Sequence, residues 1–252
     1  MIQNPLKVAV VLVFLLSGLG SEAAMPKWLQ DMQQYQKKKE STRWTIEDWL
    51  AQKQKVRLMD YWLALNTAPV NFEAALGGLS YKYDAESSLA PGVNQEEGLS
   101  RGWLHLYYRI LGLSAEYDKL DGDDSSISYM FNFRLLGPTL QSTQLTLHYG
   151  LSELDSTVIS SRRENQFAAA TMTLYLLHFL GLEGHYRRYF ASTNDANIDA
   201  EGTRLTYGVF LEFGFLRLFG NLAHDKWTYT PPANPSYDIE YKGMEVGAQL
   251  FF

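Results

Sequence analysis

The chain has 252 residues, a net charge of −6, 14% aromatic residues and no cysteine. That length suits one domain of moderate size. The missing cysteine excludes a disulfide framework and a lipidated N-terminal cysteine. Charge is unevenly divided: Met25 to Asn66 carries eight Lys/Arg and five Asp/Glu, a net of +3, while Thr67 onward carries thirteen basic and twenty-two acidic residues, a net of −9. An acidic body excludes nucleic acid as a partner, because binding phosphates needs clustered cations.

The first residues form a polar lead with Lys7, then an apolar run from Val8 to Leu16, then Gly18, Gly20 and Ser21, with Ala23 as a cleavage point. This predicts a secretory signal peptide over 1–23, too short to span a membrane. No other stretch approaches the roughly 18 apolar residues of a spanning helix, so a helical membrane protein is excluded.

An α-helical arm is expected over 24–69. Trp28, Leu29, Met32 and Tyr35 form an amphipathic face that ends at Lys37-Lys38-Lys39. A second helix starts at Thr45, with Asp48 as capping partner, and runs to Asn66 before Pro69. Trp49, Val56, Met59 and Leu63 make its stripe, flanked by Trp62. About twenty residues give a rod of roughly 30 Å, and its apolar side needs a partner.

From Val70 the period changes to two, which predicts a β-barrel over 70–252. Ten strands are expected, near 72–84, 99–110, 112–119, 126–136, 140–151, 166–177, 181–191, 203–213, 215–226 and 238–252. Short turns fall at Leu111-Gly112, Gly137-Pro138, Phe179–Gly181 and Phe213-Gly214. Longer polar links fall at Ala85–Gly98, Asp121–Ser125, Ser152–Asn165, Ser192–Gly202 and Trp227–Tyr237. An even strand number puts both termini at the short-turn end.

The last strand, Tyr237 to Phe252, has Met244, Val246, Ala248, Leu250 and Phe252 on one face, and Gly243, Glu245, Gly247, Gln249 and Phe251 on the other. Its end, with Glu245, Gly247, Leu250 and Phe252 as the key positions, resembles the terminal signal of bacterial outer-membrane β-barrels. The resemblance implies an antiparallel transmembrane barrel of about ten strands in an outer membrane, inserted by the outer-membrane insertion machinery. It also implies short turns, both termini and the helical arm in the periplasm. The helix-plus-barrel layout is similar, in architecture alone, to small outer-membrane barrels that assemble into rings enclosing lipid.

Each strand sorts into two rows. Leu104, Leu106, Tyr108, Phe131, Phe133, Leu147, Tyr149, Met172, Leu205, Val209, Leu211, Leu218 and Leu222 make one, expected to meet lipid. Arg101, His105, Arg109, Glu116, Asp118, Asn132, Arg134, His148, Glu183, His185, Arg187, Arg204, Glu212, Arg217, Asp225 and Glu245 make the other. A soluble barrel would show the same alternation turned inside out. The terminal motif, the alternating loop lengths and aromatic residues near strand ends favour the lipid-facing version. Arg109, Arg134, Glu183, Glu212, Arg217 and Glu245 are then expected to crosslink as a lumen charge layer, because an unpaired buried charge costs several kcal/mol. A ten-stranded lumen so filled holds no wide pore.

Catalytic and metal chemistry find little support. No two histidines share metal-ligand spacing on one strand. Asp121-Gly122-Asp123-Asp124 lacks the glutamate that closes an EF-hand loop. His224-Asp225 with Ser236 is the one candidate nucleophile–base set; it carries none of the motifs of outer-membrane enzymes that edit lipid A or phospholipids. No cofactor and no metal are expected. The reading is a non-enzymatic outer-membrane barrel acting through homo-oligomeric assembly or envelope structure, with membrane lipid as its surroundings. A lipid-modifying enzyme and a small selective channel are the alternatives. The helical arm caps the mouth, lies on the inner leaflet, or pairs protomers.

Overall fold

The computed structural model describes residues 27–41, 62, 66–88, 90–120, 124–156, 161–193, 197–232 and 235–252. The chain divides into two compact units, Met1–Gln34 and Tyr35–Phe252. The expected signal segment lies outside the described residues, as does most of the expected second helix. What is described of the first unit is the start of helix α1, Lys27–Ser41; the last turns of α1 belong to the second. Between its ends α1 contains no glycine, proline or β-branched residue, and Lys38 and Lys39 in its last turn complement the helix dipole. The expected arm therefore begins as helix. At its far end the Asn66 N–H donates to the Trp62 carbonyl at 3.2 Å, an i to i−4 bond.

Ten strands follow: β1 Phe72–Ser87, β2 Ala90–Tyr108, β3 Leu111–Leu120, β4 Ser125–Leu136, β5 Gln144–Ser156, β6 Ser161–Leu177, β7 Leu180–Thr193, β8 Asp199–Phe213, β9 Leu216–Thr230 and β10 Tyr237–Phe251. Each pairs antiparallel with its sequence neighbours, and β1 pairs with β10, closing the barrel. The seam runs from Ala75 opposite Phe251 to Ser87 opposite Ile239. Ala74 and Phe252 exchange both backbone hydrogen bonds, at 3.1 and 2.8 Å, so the final residue is itself laddered. Closure leaves no free edge, the condition a sheet must meet in lipid.

The two rows separate as expected from the alternation. Leu113, Val246 and Met244 stand 63%, 59% and 59% exposed on the outside, within a belt that includes Leu106, Phe131, Leu147, Val209 and Leu218. Monomers in water rarely expose apolar patches beyond a few hundred Å². A belt passing right around a closed barrel belongs against acyl chains.

Two features differ from the sequence reading. Two of the expected long links are largely strand: β1 runs to Ser87 and β2 starts at Ala90, and β5 runs to Ser156 and β6 starts at Ser161. Their sequence, with Asn94-Gln95-Glu96-Glu97 and Ser160-Ser161-Arg162-Arg163-Glu164-Asn165, offers no hydrophobic period to read. The expected tight turn at Gly137-Pro138 is instead a seven-residue segment, 137–143, between β4 and β5. Gly137 adopts φ 102°, in the left-handed region open to glycine, and the chain then enters the barrel.

Candidate functional site: the lumen

At the end that carries the C-terminus, the segment after Gly137 forms a plug. Thr139, Leu140, Gln141 and Ser142 are all buried. Glu73 on β1 holds it: one carboxylate oxygen accepts from Arg134 Nη1 at 2.9 Å, and the other accepts from the Leu140 N–H at 2.7 Å. Arg134 donates again to the Pro138 carbonyl at 3.1 Å. On the other side Gln141 Nε2 donates to Glu212 at 3.1 Å and to the Gly214 carbonyl at 2.5 Å. Arg217 reaches Glu212 at 2.8 Å and Glu183 at 3.3 Å, while Tyr175 donates its hydroxyl to Glu212 at 2.5 Å. Each buried charge here has an opposite partner, the condition for keeping ions in a low dielectric.

Lys39, in the last turn of α1, also lies at this end. Lys39, 1% exposed, donates to the Phe252 carbonyl at 3.2 Å and sits 3.9 Å from Glu73. Burial lowers its pKa below 10.5, with Glu73 opposing and Arg134 reinforcing the shift. Trp62 donates its indole N–H to the Leu135 carbonyl at 2.8 Å, and Asn66 donates to the same oxygen at 3.2 Å.

Above the plug lies a cavity of about 140 Å³, bordered by His105, His148, His185 and Thr171 among others. A hydrogen-bonded row crosses its wall. His105 Nδ1 meets Ser114 Oγ at 2.5 Å, and Asn132 Nδ2 donates to that oxygen at 2.5 Å. His148 lies 2.7 Å from Asn132 Oδ1 and 2.9 Å from Thr171, which lies 2.8 Å from His185. The row closes with every imidazole neutral: His148 donates to the amide oxygen and accepts from Thr171, whose oxygen accepts from His185. Among the described residues no three His, Asp or Glu side chains gather as metal ligands.

A charged partition separates this cavity from a second one of about 140 Å³ at the distal end; Arg101 and Arg204 border both. Arg101 makes a two-pronged pair with Asp118, and Nη2 of Arg187 donates to both oxygens of Glu116, at 2.8 and 2.9 Å. Arg204 joins Asp225, at 3.3 Å, and Glu245. The distal cavity is walled by Tyr81, Tyr83, Tyr189, Trp227, Tyr229 and Tyr241, with Arg163 among them.

Of the expected charge layer, Arg134, Glu183, Glu212 and Arg217 lie around the plug, and Glu245 lies in the partition. Arg109 does not join them. It occupies the β2–β3 turn, exposed, with φ 56°, and donates to Asn71 at 3.1 Å. Alternation carried one residue past the strand end had placed it inside. In the terminal motif Glu245 and Gly247 face the lumen side, Leu250 faces outward opposite Leu216, and Phe252 is exposed. Trp49, Val56, Met59 and Leu63 of the arm stripe lie outside the described residues, as does most of Asp121–Asp124. His224 and Asp225 point to opposite faces of β9; His224 lies 3.5 Å from Glu240, and Ser236 meets Thr230 at 3.0 Å. That set is not assembled.

The sequence reading missed the plug, the lumen aromatics and Arg163. Strand parity alone places Tyr107 with His105 and Phe219 with Arg217; the assumption that aromatics face lipid concealed them. Arg163 fell within an expected loop.

No protein-family model and no curated protein sequence matches the chain. Its fold is similar to solved outer-membrane proteins. OmpT of Vibrio cholerae is 12% identical, over 62% of this chain and 56% of that one, with a TM-score of 0.34; the match spans little more than half of OmpT. The KdgM porin is 14% identical, over 68% and 98%, with a TM-score of 0.36. Ail of Yersinia pestis is 6% identical, over 73% and 100%, with a TM-score of 0.29.

Proposed function

We propose that the chain is a non-enzymatic β-barrel of the bacterial outer membrane, closed to diffusion, which serves envelope structure by assembling with copies of itself. One observation carries this reading: the segment after Gly137 fills the barrel end and is fastened on both sides, by Glu73 and by Glu212. The Arg101, Arg187 and Arg204 pairs obstruct the lumen a second time. Lumen charges committed to one another leave little for substrate chemistry. The apolar belt supports membrane lipid as the surroundings.

In this reading the plugged end, both termini and the arm face the periplasm, and the longer hairpins face outward, the usual arrangement of outer-membrane barrels. The insertion machinery reads Glu245, Gly247, Leu250 and Phe252 before the strand is laddered. Lys39 and Trp62 contact the barrel mouth, and in this reading the stripe of Trp49, Val56, Met59 and Leu63 pairs protomers.

Planar-bilayer recording of the intact protein tests closure: a silent membrane is expected, and steady unitary conductance refutes it. Native mass spectrometry with and without residues 25–66 tests assembly. Loss of oligomer on removing the arm is expected, and an unchanged copy number ends that part of the proposal.

A further inference from the structure

We propose that the distal cavity is a binding site for a small, ring-sized organic acid that also carries hydroxyl donors, with Arg163 taking its carboxylate. The inference goes beyond closure but rests on it, because the charged partition is the floor of the site.

Arg163 is the odd member of the lumen arginines. Arg101, Arg134, Arg187, Arg204 and Arg217 each have a carboxylate within 4.0 Å, the longest of these being the 3.3 Å contacts of Arg204 and Arg217. Arg163 is only 8% exposed, yet no carboxylate of the described residues pairs with it. Its guanidinium instead lies over the rings of Trp227, at 4.5 Å, and Tyr229, at 5.5 Å. Stacking fixes the planar group by its face and leaves its in-plane N–H donors free for a bidentate anion. Nε of Arg163 is buried without a hydrogen bond.

The remaining unsatisfied atoms narrow the ligand. Asp225 Oδ1 and the Tyr81 hydroxyl, both at this cavity, are buried and unpartnered. A carboxylate oxygen only accepts, so the occupant must donate as well as accept. An acid without hydroxyls leaves Asp225 unsatisfied, and an uncharged sugar leaves Arg163 unsatisfied. A cavity of about 140 Å³ is close to the size that holds one benzene ring, about 150 Å³, so it encloses a single six-membered ring whose remaining substituents reach the cavity's open side. Tyrosine and tryptophan faces suit the flat C–H surface of a saturated ring. A monocyclic sugar acid meets each requirement.

Isothermal titration of the intact protein in detergent with D-glucuronate tests this, with D-glucose and cyclohexanecarboxylate as single-feature controls. Saturable glucuronate binding is expected, with each control at least about tenfold weaker. Arg163→Gln should weaken it by about 10- to 100-fold, the range of a charge-assisted hydrogen bond. Arg163→Lys, which keeps charge and stem but loses the fork, should fall between. Heat-modifiable migration of each variant shows whether the barrel is folded. Absent saturation with glucuronate overturns the site, as does equal binding of glucose or undiminished binding by folded Arg163→Gln. A silent barrel that takes no glucuronate sinks the site and leaves closure standing. A conducting one sinks closure itself.

Discussion

Replacing Glu73 by glutamine keeps the shape of the plug's main fastening and removes its charge. The carboxylate is fully buried and accepts from Arg134 at 2.9 Å and from the Leu140 N–H at 2.7 Å, with Lys39 at 3.9 Å. Glutamine has one acceptor oxygen for these donors, and its amide group confronts one of them with another donor. Arg134 also loses the one carboxylate that pairs with it among the described residues. Breaking a buried ion pair from one side costs about 3–5 kcal/mol. The lost Leu140 bond, about 1–3 kcal/mol taken alone, belongs to the same side chain and does not add in full. We expect Glu73→Gln to destabilise the barrel by about 3–5 kcal/mol. Reversible urea unfolding in lipid vesicles, extrapolated to zero denaturant, is the assay. Glu201→Gln is the control: its pair with Arg188 is half exposed at 3.8 Å, and the change should stay under about 1 kcal/mol. Glu73→Leu combined with Arg134→Met should recover part of the loss, since neither charge is then stranded. A Glu73→Gln variant within about 1 kcal/mol of wild type refutes the claim that this carboxylate anchors the plug.

Three further outcomes follow from local geometry. At Gly243 an added Cβ meets the Lys82 carbonyl across the seam, and at Gly220 it meets nothing within 4 Å; urea midpoints should show Gly243→Ala losing about 1–3 kcal/mol and Gly220→Ala within about 0.5 kcal/mol. Trp62→Phe removes the donor to the Leu135 carbonyl and should cost about 1 kcal/mol in the same measurement. For Lys39 the folded pKa lies below 10.5, so the unfolded chain holds the proton more tightly. Wild-type stability relative to Lys39→Met should therefore rise with alkaline pH up to 10.5 and level off above it; a constant or falling difference across a pH series contradicts the burial of the ammonium group.

The wall of the barrel was legible because each membrane-depth strand has one apolar and one polar row. Leu104–Leu106–Tyr108 against Arg101–Trp103–His105 is enough to place both faces of β2. The plug was not legible: from Thr139 to Gln144 only Leu140 is apolar, so the segment shows no period that separates buried from exposed positions, and the left-handed Gly137 that turns it inward reads in sequence as a tight turn. Beyond the membrane the alternation fails, so the hairpin extensions read as loops. Arg163 shows the consequence, since its role depends on a register that polar sequence does not announce. Arg109 shows the converse error, a period trusted across a turn.

The account rests on the oily row facing acyl chains. With no native cysteine, single spin labels at Leu218→Cys and Val246→Cys, outside, and Ala223→Cys and Ser128→Cys, inside, can be compared in vesicles by collision with oxygen and with a polar nickel complex. The account predicts high oxygen and low nickel accessibility at Leu218 and Val246, and low access to both at Ala223 and Ser128. Nickel reaching the outer pair freely would contradict it.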